Sequence, residues 1–175
     1  MSHVYFTSDL HFGHKNLCTG IRGMSAEESD ALIISNWNKV VTKKDRVYVL
    51  GDFVMEKHNL IEQYIKQLNG DIVIVGGNHD DVRCCKEYMR LGIPVMGCLE
   101  YKGYICTHIP IALSEVKDLY RGNIHGHIHK QLGTTELPKQ YYYNVNTEFH
   151  NYTPKLFSEI ENEFTEIKIL KLWRQ

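Results

Sequence analysis

Paired cysteines are missing: the five at 18, 84, 85, 98 and 106 contain no CxxC and are odd in number, so neither a disulfide framework nor a thiolate zinc site is expected. Long apolar runs are missing too. Stretches such as Ile72–Val75 fall far below the ~20 residues that a membrane-spanning helix requires. Charge of one sign is absent, since 20 Lys and Arg face 21 Asp and Glu for a formal net charge of -1, so no global field argues for nucleic acid or an anionic membrane as partner. Nor is there a linker, a repeat or a charge block to divide the chain. With 43% hydrophobic and 23% charged residues over 175 positions, disorder is excluded and one domain spanning residues 1–175 is expected. Nothing resembling a signal peptide precedes Val4-Tyr5-Phe6, and with the cysteine usage this gives a reduced, cytoplasmic compartment as the expectation.

What is present in excess is histidine, ten in all. Short runs rich in Val, Ile and Tyr at 4–6, 47–50, 72–75 and 104–106 read as buried strands. Between them lie helical patterns. Ser25-Ala26-Glu27-Glu28 has capping-box spacing and leads into Ile33, Ile34, Trp37, Val40 and Val41 on one face. Leu60, Ile61, Tyr64, Ile65 and Leu68 repeat the pattern until Asn69-Gly70 stops it. Strand, helix, strand, helix, strand predicts parallel βαβ units and an α/β fold. Further strands are expected at 93–95, 121–125 and 141–146, added beside that core and partly antiparallel. Thr153-Pro154 carries N-cap and N1 chemistry for a short helix with Leu156, Phe157 and Ile160 on one side.

The polar residues that follow these strands carry the chemistry. They are Asp9 and His11, then Asp52, then Asn78, His79 and Asp80, then His108, then His127 and His129. In an open α/β sheet the carboxyl ends of neighbouring parallel strands line one crevice, so five segments should converge. Asp9 and His11 are two apart, as are His127 and His129, and extended backbone would put each pair on one side. Carboxylate, imidazole and amide oxygen together suit Mn, Fe, Zn or Ni better than Ca. Asp9, His11, Asp52, Asn78, His108, His127 and His129 are too many ligands for one ion, so two divalent ions sharing Asp52 are expected, Mn²⁺ foremost. Such a pair would hold a bridging hydroxide and attract a phosphate.

In order, Asp9-x-His11, Gly51-Asp52, Gly77-Asn78-His79-Asp80, His108 and Gly126-His127-x-His129 resemble the five motif blocks of the calcineurin-like metallophosphoesterases, of the compact, cap-less bacterial or phage kind. The resemblance covers residues 9–129 and implies a four-layer αββα sandwich. It also implies that one ion takes Asp9, His11, Asp52 and His129, and the other Asp52, Asn78, His108 and His127. His79 would be a catalytic residue that binds no metal, oriented by Asp80. Such a His can protonate a leaving alkoxide. The activity implied is metal-dependent hydrolysis of a phosphomonoester or phosphodiester, with a small phosphate ester as partner. A nuclease of the same family and a metal-binding scaffold without catalysis are the alternatives.

Other residues are ambiguous from sequence. His14 and Asn78 are candidate phosphate contacts, though His14 equally suits a solvated helix start. His125 precedes the Gly126 block and reads as a supporting residue rather than a ligand. His3, His58 and His150 have no sequence partners and default to surface or satisfied positions. The cysteines read as buried small hydrophobes. Tyr141-Tyr142-Tyr143 reads as strand with alternating faces.

Overall fold

A computed structural model describes residues 2–55, 58–130 and 137–172, the last five of these by backbone only. Strands β1 (Val4–Thr7), β2 (Arg46–Leu50) and β3 (Asp71–Val75) are parallel neighbours, with Val4 opposite Arg46 and Val47 opposite Ile72. The crossovers are helical. After a short helix α1 (Lys15–Leu17) and a π-helical turn over Cys18–Arg22, helix α2 (Ala26–Val40) opens with the expected capping box: Ser25 Oγ accepts from the Glu28 N–H at 3.1 Å, and Glu28 Oε2 accepts from the Ser25 N–H at 2.8 Å. Ile33 and Trp37 fill its buried face, and Trp37 Nε1 donates to the Asn69 carbonyl at 2.8 Å. Helix α3 (Ile61–Ile65) is shorter than the pattern from Leu60 to Leu68 predicts, because a 3₁₀ turn precedes it and the chain turns out of the helix after Ile65.

Helix α4 (Val82–Arg90) is an element the hydrophobic pattern does not announce. Its signal is the Asp81 N-cap, whose carboxylate accepts from the Arg83 and Cys84 N–H groups. Strand β4 (Val95–Met96) then joins β3 in parallel, one to two residues later than the 93–95 run suggests. Ile93 is instead buried in the core.

The remaining strands form a second sheet rather than extending the first, except for one pair of residues near the C-terminus. Strands β5 (Leu99–Tyr101) and β6 (Tyr104–Thr107) make an antiparallel hairpin. Helix α5 (Leu113–Leu119) leads to β7 (Gly122–His125), and β8 (Tyr142–Asn144) completes the sheet; β6, β7 and β8 are mutually parallel. The expected antiparallel character is therefore confined to β5 and to β9 (Lys155–Leu156), which pairs antiparallel with β1. Here the cap chemistry at Thr153-Pro154 is overridden. The open edge of β1 has backbone groups to satisfy, so residues 155–156 take up strand pairing and helix α6 (Phe157–Leu172) begins two residues later. Leu156, expected on that helix, packs on the other core cluster.

Strand alternation divides the core. Tyr5, Val47, Val49, Ile72 and Ile74 face α2, α3 and α4, whereas Phe6, Leu50 and Val75 face Tyr104, Cys106, Ile124 and Val145 of the second sheet. Phe157, Ile160 and Phe164 of α6 join the layer between the sheets. The result is two sheets flanked by helices, the four-layer arrangement expected. Beyond β1 and β8 the sheets are linked: the Ser8 N–H donates to the Val145 carbonyl at 3.1 Å, and the Thr147 N–H donates to the Ser8 carbonyl at 3.2 Å. The carboxyl ends of both sheets thus open on the same crevice.

Candidate metal centre

Each strand end delivers its residue as the βαβ reading requires, but by a different backbone. Asp9, His11, Asp52 and His127 have φ of 55°, 48°, 56° and 69°. These are left-handed conformations that a side chain disfavours, so the pairs converge through turns and not through extended chain as the two-residue spacing suggested. Four non-glycine residues held this way in one crevice carry strain of about 1–3 kcal/mol each, which the surrounding contacts must overcome. Two glycines make the close approach possible. A Cβ on Gly51 (φ 87°) would lie 2.5 Å from His108 Nδ1, and one on Gly126 would meet Ser8 Oγ and, at 2.6 Å, Asp9 Oδ2.

The side-chain donor atoms fall into two groups. In the first, His11 Nε2 lies 3.9 Å from Asp9 Oδ1 and 3.6 Å from Asp52 Oδ2, and His129 Nε2 lies 3.6 Å from Asp9 Oδ1. In the second, His108 Nε2 lies 3.3 Å from Asp52 Oδ2 and 2.8 Å from Asn78 Oδ1, and His127 Nδ1 lies 3.0 Å from the same amide oxygen. Asp52 Oδ2 belongs to both. Atoms bound at about 2.0–2.2 Å to one ion stand roughly 3–3.6 Å apart, so most of these separations have the length of coordination edges. Asp9, His11 and His129, and likewise Asp9, Asp52 and His108, are close enough to hold one ion each. His11 is the sharpest indicator. It is 2% exposed and neither ring nitrogen has a hydrogen-bond partner, an arrangement that a metal ligand explains and an ordinary core histidine does not.

Two of the candidate ligand histidines have their other ring nitrogen fixed. His108 Nδ1 lies 2.7 Å from the Leu50 carbonyl and His129 Nδ1 lies 2.8 Å from Glu148 Oε1, so each turns Nε2 into the crevice. Asp9 Oδ2 accepts from Ser8 Oγ at 2.6 Å and from the His127 N–H at 2.9 Å, tying the first and last motif blocks together.

Electrostatics follow from packing acids and imidazoles in a buried space. Burial pushes the Asp9 carboxyl up to about 6, against the opposing pull of His108, Ser8 and His129. Burial acts on Asp52 in the same direction, but the His108 hydrogen bond, the charges of His108 and His11, and the His79 N–H outweigh it and hold the carboxyl at about 2. His108 is disfavoured as a cation by burial, yet the Asp52 hydrogen bond and the charges of Asp9 and Asp52 raise it to about 9. Burial holds His11 well below the usual histidine range.

The structure gives two sequence-selected residues partners other than those expected. Asp80 does not reach the His79 ring. Its Oδ2 accepts from the N–H groups of Asp52 at 2.8 Å and Gly77 at 3.0 Å, and its Oδ1 accepts from Tyr88 Oη at 2.8 Å. Both oxygens are thus spent on holding the Asp52 and Gly77 turns against α4. His79 is half-buried at the rim, with its ring 5.4 Å from that of His11 and its N–H donating to Asp52 Oδ1 at 2.9 Å. His14 caps α1, its Nδ1 accepting from the Leu17 N–H at 3.4 Å, while its ring lies 5.6 Å from that of His11; helix start and crevice rim are therefore the same place. His125 is buried, its Nδ1 lies 2.8 Å from the Gly126 carbonyl, and its ring stands edge-on to Tyr142. His150 stacks on Tyr143 and bonds the Asn144 carbonyl, a satisfied structural position.

Sequence reasoning missed Arg22 and Glu148. Neither lies in a motif, and the only sequence signal near Glu148 is Asn146 two residues before it, whose Oδ1 accepts from the Glu148 N–H at 3.0 Å. All five cysteines are free, with three buried, one partly buried and Cys98 exposed. Among the described residues no helix is long and apolar enough to cross a membrane.

The chain is 34% identical over 163 residues to the uncharacterized protein MJ1445 of Methanocaldococcus jannaschii, covering 88% of this chain and 86% of that protein. It is 32% identical over 95 residues to the glycerophosphodiester phosphodiesterase GpdQ of Enterobacter lignolyticus, which spans 51% of this chain but 34% of the relative. In three dimensions it is similar to the protein AQ665 from Aquifex aeolicus, of unknown function, with a TM-score of 0.74 at 25% identity over 93% of this chain and 99% of that one. The family model for calcineurin-like phosphoesterases matches residues 2–175, so this chain belongs to that family, the calcineurin-like phosphoesterases.

Proposed function

We propose that the protein hydrolyses phosphate esters with two divalent ions, one held by Asp9, His11, Asp52 and His129 and the other by Asp52, Asn78, His108 and His127. The observation that carries this reading is Asp52 Oδ2, within 3.6 Å of His11 Nε2 on one side and 3.3 Å of His108 Nε2 on the other. When bound, the ions would supply the positive charge that polarises a phosphate and the Lewis acidity that makes water a nucleophile near neutral pH; Mn²⁺, Fe, Zn or Ni all suit the mixed O and N donors. The chain's own residues do the rest. Asn78 and His14 line the rim where phosphate oxygens would sit, and His79 is placed to give a proton to the leaving oxygen.

Phosphodiesters are the favoured substrates, supported by the likeness to a glycerophosphodiester phosphodiesterase over half the chain. The test compares a nitrophenyl phosphodiester with the corresponding monoester on protein stripped by chelator and on protein reloaded with Mn²⁺. Hydrolysis of the diester, lost on stripping and restored on reloading, is expected. Full activity in chelator would sink the metal mechanism, a preference for the monoester would sink the substrate assignment, and silence on both would favour a scaffold.

A further inference from the structure

Behind the first ligand group lies a buried ion pair, with no counterpart behind the second among the described residues. The π-helical turn Cys18–Arg22 ends at Gly23 in the left-handed region (φ 69°), and it turns the Arg22 side chain inward until none of it is exposed. There its planar fork makes four hydrogen bonds. Nη2 donates to the Asp9 carbonyl at 2.7 Å, Nη1 to the Leu10 carbonyl at 3.1 Å and to Ser29 Oγ at 2.9 Å, and Nε to Glu148 Oε1 at 3.2 Å. Glu148, 3% exposed, uses the same Oε1 to accept from His129 Nδ1 at 2.8 Å. A 3₁₀ turn over Thr147–His150 presents it, anchored by the Asn146 cap and by the Thr147 N–H bond to Ser8.

Buried charges are costly, and this pair stands beside a site that itself gathers positive charge when loaded, so hydrophobic packing would be the simpler way to fill the space. Its geometry shows what the pair does instead. Arg22 grips the two carbonyls of the strained segment that carries Asp9 and His11, and Glu148 fixes the tautomer and the ring orientation of His129. Asp9, His11 and His129 are the donors particular to the first ligand group, and one ion pair holds the two segments that carry them in register. The second group is supported otherwise: His108 by the Leu50 carbonyl, and the Gly77 turn before Asn78, with that of the shared Asp52, by Asp80.

We infer that Arg22 and Glu148 are positioning residues that set the metal affinity of the Asp9–His11–His129 position selectively, leaving the Asn78–His108–His127 position largely unaffected. This rests on the two-ion reading proposed above. The test is Co²⁺ titration of chelator-stripped protein, followed by visible absorption and by equilibrium dialysis, on wild type, on Glu148→Gln, and on the double variant Arg22→Met/Glu148→Gln, which removes both buried charges together. Wild type should take up two ions. Both variants should bind one of them about 10–100-fold more weakly, as changes to such supporting partners do, and the other within about threefold of wild type. Thermal melting of the metal-free proteins separates this from unfolding. Equal weakening at both positions, or unchanged binding at both, would overturn the selective role. Uptake of a single ion by wild type would instead overturn the two-ion reading itself.

Discussion

His79 meets the site through both its backbone and its ring. Its N–H holds Asp52 Oδ1, a backbone contact that survives any side-chain change, whereas its ring stands free at the rim beside His11. His79→Ala is therefore expected to keep its metal content while turnover falls by about 10²–10⁴, the usual range for a general acid. The leaving group decides the role. An ester that releases nitrophenolate barely needs a proton and should suffer much less than one that releases an alkoxide, when initial rates of the two are compared. Equal losses on both would make His79 an electrostatic residue, and loss of metal would make it a ligand. For Asp80 the family resemblance implied that it orients the His79 ring, but the fold directs its carboxylate to Asp52, Gly77 and Tyr88.

At the scale of elements, the turns after the strands matter more than the strands. A Cβ on Gly126, directly after β7, would run into Ser8 and Asp9, so the last and first motif blocks come together at a residue that has no side chain. Adding one methyl group in Gly126→Ala must push apart the Asp9 carboxylate and the turn that carries His127, whose N–H bonds Asp9 Oδ2 at 2.9 Å. The expected outcome is loss of at least one ion per chain by metal analysis, with the far-ultraviolet circular dichroism of the two sheets retained. A variant that binds both ions normally would show that the loop yields freely. Strand ends and the candidate site residues after them were readable because buried parallel strands leave continuous apolar runs and the polar residues that follow stand out. The separate second sheet followed from the family resemblance and not from the hydrophobic pattern, since β6, β7 and β8 carry the same patterns as β1, β2 and β3 and only their long-range pairing assigns them to another layer. Arg22 and Glu148 stayed hidden for the same reason, their bond joining residues that lie 126 positions apart.

For the whole molecule, one acid outside the site links the layers to pH. Asp45, buried in the connection from α2 into β2, accepts from the His3 N–H at 2.7 Å through Oδ1 and from the Thr42 N–H and Oγ, each at 2.7 Å, through Oδ2. The residue's carbonyl also accepts from the Asp71 N–H at 2.8 Å, so one residue joins the entrances of three adjacent strands. The His3 N–H, followed by the Thr42 hydroxyl and N–H, holds the carboxyl at about 2, below its ordinary 3.8. The depressed value fixes the sign. The unfolded chain binds the proton more readily, so the stabilisation is fully present above about pH 4 and is lost as pH falls from there through about 2. Asp45→Ala removes three hydrogen bonds to a charged acceptor and should cost about 2 kcal/mol or more at neutral pH. The penalty should shrink toward pH 2, where the wild-type carboxylate is itself being protonated. Urea unfolding of both proteins in chelator, at pH 7 and near pH 3, measures this without interference from the metal centre. A difference between wild type and variant that stays constant across that range would show that Asp45 contributes by packing rather than by charge.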